Sequence, residues 1–138
     1  MLLDTNVVSE LLKPRPSAAV MDWFSVPHGA LYLSAITRAE LLLGAALLPV
    51  GKKRRELEAG LYEMFDARFA ARCLAFDAGA ADRFAQIKAH RTRHGRGIST
   101  EDAQIAAIAL AQELPLVTRN VVDFDEIPGL EILNPWDA

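Results

Sequence analysis

The chain opens MLLDTNVVSELLK (residues 1–13), and the reading of this stretch sets the fold class. Apolar residues followed at once by Asp4, Thr5 and Asn6 describe a short buried strand, residues 2–4, that turns straight into a helix. Asp4 or Thr5 then caps that helix, a role worth about 1 kcal/mol. The same grammar recurs along the chain. Strand-like runs lie at 30–34 (ALYLS), 73–76 (CLAF), 114–118 (LPLVT) and 130–133 (LEIL). Helical patterns at 6–13, 17–24, 37–48, 52–72, 78–94 and 100–113 separate them, with Pro14, Pro49, Gly95 and Pro115 as stops. Short apolar strands alternating with helices predict an α/β sandwich with a mostly parallel sheet. In such open sheets ligands bind along the edge formed by the strand carboxyl ends.

The 138 residues are 51% hydrophobic with a mean hydropathy of +0.14, enough for one domain to bury its own core. Cys73 is the single cysteine; it cannot form an internal disulfide, and its apolar surroundings read as core in a reducing cytoplasm. No basic leader precedes the first strand, and the longest apolar run, AELLLGAALLPV (39–50), is interrupted by Glu40 and Gly44 and too short for a bilayer. The expectation is a cytoplasmic protein with no membrane segment. A net charge of −3 and a pI near 5.6 argue mildly against a nucleic-acid partner. Lys52, Lys53, Arg54 and Arg55 form one basic cluster, and Lys88, Arg91, Arg93 and Arg96 another. Both read first as solvated helix faces or ends. Residues 37–48 are apolar almost all round, which means full burial or burial shared with a second subunit. His90 and His94 read as helix-end residues, His28 as a loop residue, and Trp23 and Trp136 as packing.

The acids are placed with more order. Asp4 follows the first strand, Glu40 sits in the first turn after YLSAIT, Asp102 in the first turn of STEDAQIAA, and Asp123 and Asp125 follow LVTRN. Each has an ordinary explanation: Thr37-x-x-Glu40 and Ser99-x-x-Asp102 read as capping boxes, and Asp123 and Asp125 as turn residues. Two carboxylates about 4 Å apart, however, repel by roughly 4 kcal/mol at an effective dielectric near 20. If these acids converge, capping does not explain their company and a cation is required. An oxygen-only set, without His or Cys at zinc spacing, suits Mg²⁺ or Mn²⁺. Convergence hinges on residues 78–98. Strict up-and-down winding after 73–76 starts the Asp102 helix at the far edge unless that segment brings the chain back.

Four stretches together, LLDTNVVSELLK, LSAITRAELLLG, STEDAQIAAIA and LVTRNVVDF, resemble the PIN-domain ribonucleases, in particular the VapC-type toxins of bacterial toxin–antitoxin pairs. The closing NPW (134–136) is similar to the FitB branch of these toxins. The resemblance covers nearly the whole chain, as a single PIN-like domain over 1–138. It implies a three-layer α/β/α fold and a Mg²⁺- or Mn²⁺-dependent endoribonuclease. Carried over residue by residue, it makes Asp4, Glu40, Asp102 and Asp123 the catalytic acids and metal ligands, with Asp4 and Asp102 foremost. Asn6 orients Asp4, and Thr118 positions a ligand or water. Asn120 departs from relatives that carry an acid there and brings no negative charge, so the last acid is left between Asp123 and Asp125, with Asp123 favoured and Asp125 read as a neighbour. Arg38 and Arg119 are the residues nearest the acids that could meet RNA. The expected partners are the RNA substrate, a second copy in a homodimer, and a DNA-binding antitoxin whose tail lies on the 37–48 and 52–72 helices in a hetero-oligomer. A haloacid-dehalogenase-like phosphatase also starts from an Asp at a strand end, but it needs a second acid where this chain has Asn6. The residues also leave room for a PIN-like module that binds without cutting, or for a nuclease acting on DNA.

Overall fold

The computed structural model describes residues 1–137. Five parallel strands form one sheet in the order β3-β2-β1-β4-β5. They are β1 (Leu2–Leu3), β2 (Tyr32–Ser34), β3 (Cys73–Leu74), β4 (Leu116–Val117) and β5 (Ile132–Leu133). Between them run α1 (Thr5–Leu11), α2 (Ala18–Phe24), α3 (Ala35–Ala46), α4 (Lys52–Arg68), α5 (Ala78–Arg93), α6 (Thr100–Ala111) and the single turn α7 (Val121–Phe124). The expected strands are all present, trimmed to two or three residues each.

Strand alternation produces the three layers. Leu2, Tyr32, Leu116 and Ile132 are in register across the sheet, and all four pack into the cluster built from α5, α6 and Phe124. The next residue of each strand, Leu3, Leu33, Val117 and Leu133, joins the opposite cluster with Val7, Val8, Ala45, Leu61 and Phe65 of α1, α3 and α4. Successive side chains of a strand face opposite ways, so two consecutive apolar residues serve two cores. Helix α6 lies deep in the first of these, with Ala103, Ala106, Ala107 and Ala109 fully buried beside Ile105 and Ile108.

The chain steps from β1 to β2 to β3 on one side, then crosses to β4 and β5 on the other. The switch point, where α/β sheets open a crevice, therefore lies between β1 and β4. Two helices, not one, fill the crossover from β3 to β4. The carboxyl end of α5 reaches the start of α6, where Lys88 Nζ donates to the Ile98 carbonyl at 2.7 Å. Residues 78–98 thus make the return on which convergence depends.

Two local expectations are corrected. Helix α3 begins at Ala35, not Thr37, because Ser34 is both the last residue of β2 and the cap: its hydroxyl accepts from Thr37 N at 3.0 Å. Thr37 and Glu40 therefore make no capping box, and Glu40 sits in the second turn. Cys73 is also less enclosed than expected, since β3 is an edge strand and both of its residues are only half-buried. Among the described residues no helix is long and apolar enough to cross a membrane.

Candidate active site

Asp4 leaves the end of β1 buried, at 4% exposure, and every oxygen of its carboxylate is engaged. Its backbone N–H donates to Val117 O at 2.9 Å, which fixes it against β4. Oδ1 accepts from Thr5 N at 2.8 Å and caps α1. Oδ2 accepts from Thr118 Oγ1 at 2.8 Å and from Asn6 Nδ2 at 3.0 Å. Thr118 follows β4, so this pair spans the switch point, and its hydroxyl also accepts from Asn120 N at 3.0 Å. Asn6 Oδ1 in turn accepts from Arg119 N at 3.2 Å. Asn6 and Thr118 both lie beside Asp4, and both hold it.

Glu40 enters from α3. Its Oε1 accepts from Thr5 Oγ1 at 2.8 Å, and the same hydroxyl lies 3.0 Å from Thr37 Oγ1. In sequence Thr5 reads only as a possible cap; its role toward Glu40 depends on a partner 35 positions away that no local pattern announces.

Asp102 is half-buried in the first turn of α6, whose cap is Ser99: its hydroxyl accepts from Asp102 N at 3.1 Å. This half of the expected capping box is present. Asp123, on α7, lines with Asp102, Ser99, Arg91 and Arg96 a cavity of 260 Å³. Asp125 is engaged elsewhere: its Oδ1 lies 2.8 Å from Arg96 Nη2, an ion pair by distance, though not directed as a hydrogen bond.

The electrostatics tie these acids together. Burial pushes the Asp4 carboxyl up to about 6; its hydrogen bonds from Thr118 and Thr5 oppose this, and the charges of Asp102 and Glu40 add to it. Asp102 is raised as well, first by burial and then by Asp123, Glu40 and Glu101, against the Ser99 hydroxyl. Four acids from four elements thus feel one another, and none of the ion pairs among the described residues includes any of them. Arg38 stacks instead over Phe65 at 4.6 Å, and Arg119 over Trp136 at 5.0 Å. Among the described residues no three His, Cys, Asp or Glu side chains stand close enough to grip one ion directly. The fit to a hard cation rests on donor chemistry: the side chains brought together are carboxylates, and Mg²⁺ binds through one or two carboxylates with water completing its shell. Zinc, which needs a tight set of protein ligands, does not fit. A larger groove of 820 Å³, between α1 and α4 and lined by Leu11, Leu12, Met64 and Phe69, lies away from this chemistry.

Residues 1–130 match the family model described as PIN domain. The chain is 43% identical over 136 residues to toxin FitB of Neisseria gonorrhoeae, covering 98% of this chain and 97% of that protein. It is 41% identical over 137 residues to VapC ribonuclease Y4jK of Sinorhizobium fredii, covering 99% and 97%. Among solved structures, FitAcB from Neisseria gonorrhoeae superposes with a TM-score of 0.89 at 42% identity, over 99% of each chain.

Proposed function

The chain belongs to the PIN-domain family, and from that premise we propose that its acidic edge is the active site of a Mg²⁺- or Mn²⁺-dependent endoribonuclease, the toxin of a toxin–antitoxin pair. The observation that carries this reading is the set of unpaired, mutually repelling carboxylates around Asp4 at the sheet's switch point. A cation held by Asp4, Glu40, Asp102 and Asp123 would supply charge for the developing phosphoryl oxygens and make a water there more acidic.

The chain's own residues set the stage for that chemistry. Thr118, Asn6 and the Thr5 amide fix both oxygens of Asp4, so its lone pairs point in set directions before any ligand arrives. Thr5 holds Glu40 by one oxygen and leaves the other free to orient water. Asp102 and Asp123 face the same small cavity and complete the negative field. Water attacks phosphorus, the bond to the 3′ oxygen breaks, and the ends are a 5′-phosphate and a 3′-hydroxyl. No 2′-hydroxyl nucleophile is needed. Arg38 and Arg119 flank Glu40 and Thr118 and carry no carboxylate ion pair among the described residues, so both can meet RNA phosphates.

The same premise supplies the partners. The tail of a DNA-binding antitoxin is assigned to the 37–48 and 52–72 helices, the second of which borders the groove lined by Leu11, Leu12, Met64 and Phe69. A homodimer forms through the outward face at the end of α3, where Leu43, Leu47 and Val50 are 58%, 76% and 88% exposed. Sedimentation of the free protein at micromolar concentration tests the dimer, and a monomer alone removes it. The decisive assay is cleavage of RNA, with DNA alongside, by purified protein in Mg²⁺, in EDTA and as Asp4→Asn. Metal-dependent cutting of RNA that the Asn variant loses supports the reading, and undiminished cutting by that variant ends it.

A further inference from the structure

Arg91 belongs in sequence to a basic cluster that reads as a solvated face, yet it is 3% exposed in the last turn of α5. A buried guanidinium needs compensation, and none of the ion pairs among the described residues supplies it. Its partners are main-chain carbonyls. Nη2 donates to Asp123 O at 2.9 Å and Asp125 O at 2.8 Å, and Nη1 to Gly97 O at 3.3 Å. The first two belong to the end of α7, which has four residues and no side-chain cap at Asn120. One turn of helix does not hold its own shape, and its terminal carbonyls need outside donors. Just beyond, Glu126 sits at φ 56, a left-handed conformation that a residue with a Cβ keeps only under constraint. The third carbonyl lies in the segment that leads to Ser99 and Asp102. One planar group therefore ties the backbone carrying Asp123 to the backbone carrying Asp102. Arg96 reinforces the same loop from outside, donating to Val122 O at 3.3 Å and pairing with Asp125 and Glu126.

We propose that Arg91 is a positioning residue: by bridging the carbonyls of Gly97, Asp123 and Asp125 it sets the spacing of Asp102 and Asp123, and with it the site's affinity for a divalent cation. The proposal rests on the reading of Asp102 and Asp123 as site acids. A guanidinium can do this because its donors diverge in one rigid plane, whereas an ammonium is a point donor on a flexible stem. Arg91→Lys therefore keeps the charge and loses the bridge.

The test is Mn²⁺ titration by calorimetry on the full chain, comparing wild type, Arg91→Lys, Asp102→Asn and, as a basic control, the exposed Arg93→Ala. Arg91→Lys should bind Mn²⁺ about tenfold or more weakly, the size seen when groups behind metal ligands are removed. Arg93→Ala should match wild type. In RNA cleavage the Arg91→Lys defect should lie in the Mn²⁺ concentration for half-maximal rate, and saturating Mn²⁺ should restore most of the maximal rate. A role in stability alone would lower Tm and leave that concentration unmoved. Wild-type affinity in a folded Arg91→Lys overturns the bridge and leaves the site intact. No Mn²⁺ uptake by wild type, or unchanged uptake by Asp102→Asn, overturns the site and the bridge with it. If Arg91→Lys does not fold, native-state hydrogen exchange of the wild type decides. The Asp123 amide, bonded to Asn120 O at 3.1 Å, should be as protected as the β4 amides; exchange at the rate of an open loop overturns the bridge.

Discussion

The two sides of the acidic edge are built in opposite ways. On the Asp4 side, side chains hold side chains: Thr118 and Asn6 grip Asp4, and Thr5 grips Glu40, all within a few residues of adjacent strand ends. On the Asp102 side, the two carboxylates accept few bonds themselves, and it is the main chain beneath them that Ser99, Arg91 and Arg96 secure. The first arrangement fixes where oxygens point but concentrates charge in a buried place. The second leaves the carboxylates free to adjust while their backbones stay put. On the proposed function, such a site gains from having one rigid wall for the cation and one adaptable wall for the phosphate.

The contrast can be broken at its rigid end first. Asp4→Asn should lower RNA cleavage by at least about 10²-fold, since a neutral amide supplies neither the charge nor the free lone pairs, and EDTA should lower wild-type cleavage as far. Rates at saturating RNA check this. The same substitution should remove a pH dependence of stability seen in the absence of metal. Asp4 titrates near 6 when folded, against an ordinary value of 3.8. Between those values the folded state keeps a proton that the unfolded chain has released, so this contribution is full below about pH 4 and is lost as pH rises through 6. The loss amounts to up to about 3 kcal/mol. Urea unfolding across pH 4–8 in EDTA should show wild type losing this much relative to Asp4→Asn, and added Mg²⁺ should restore stability to wild type alone.

Next comes Thr118→Val, which takes one donor from Asp4 and strands the Asn120 amide. It should cost about 1–3 kcal/mol in thermal unfolding and about tenfold in cleavage. The smallest effect sharpens the adaptable wall. Asp125→Asn removes only a partly exposed ion pair with Arg96, so it should change stability by at most about 1 kcal/mol and leave cleavage within a few-fold. Asp123→Asn should cost far more in cleavage than in Tm. Equal losses for the two would refute the choice of Asp123 over Asp125.

These differences also mark what can be read from sequence. The strand–helix alternation and the acids at strand ends are legible because both follow from patterns a few residues long. Ser99 as a cap is legible for the same reason. Ser34 is not: β2 runs into α3 without a loop, so the cap is written as a strand residue, and Thr37 offers a more familiar signature. The bond from Thr5 to Glu40 is hidden by its length in sequence. Arg91 is hidden by its chemistry, because a basic residue among other basic residues looks solvated until the carbonyls that surround it are known. The return of residues 78–98 needs the packed pair α5 and α6, whose contact no spacing rule specifies.

Helix α6 carries a last consequence. Asp102 rides on a rod whose Ala103, Ala106, Ala107 and Ala109 are all at 0% exposure, so its neighbours, α5 above all, approach as closely as a methyl group allows. Any bulkier residue at those four positions must lift the whole rod, and the carboxylate at its tip would travel with it. A saturation library scored for growth arrest should therefore lose function at these plain alanines almost as completely as at the acids, although none of them ever meets RNA.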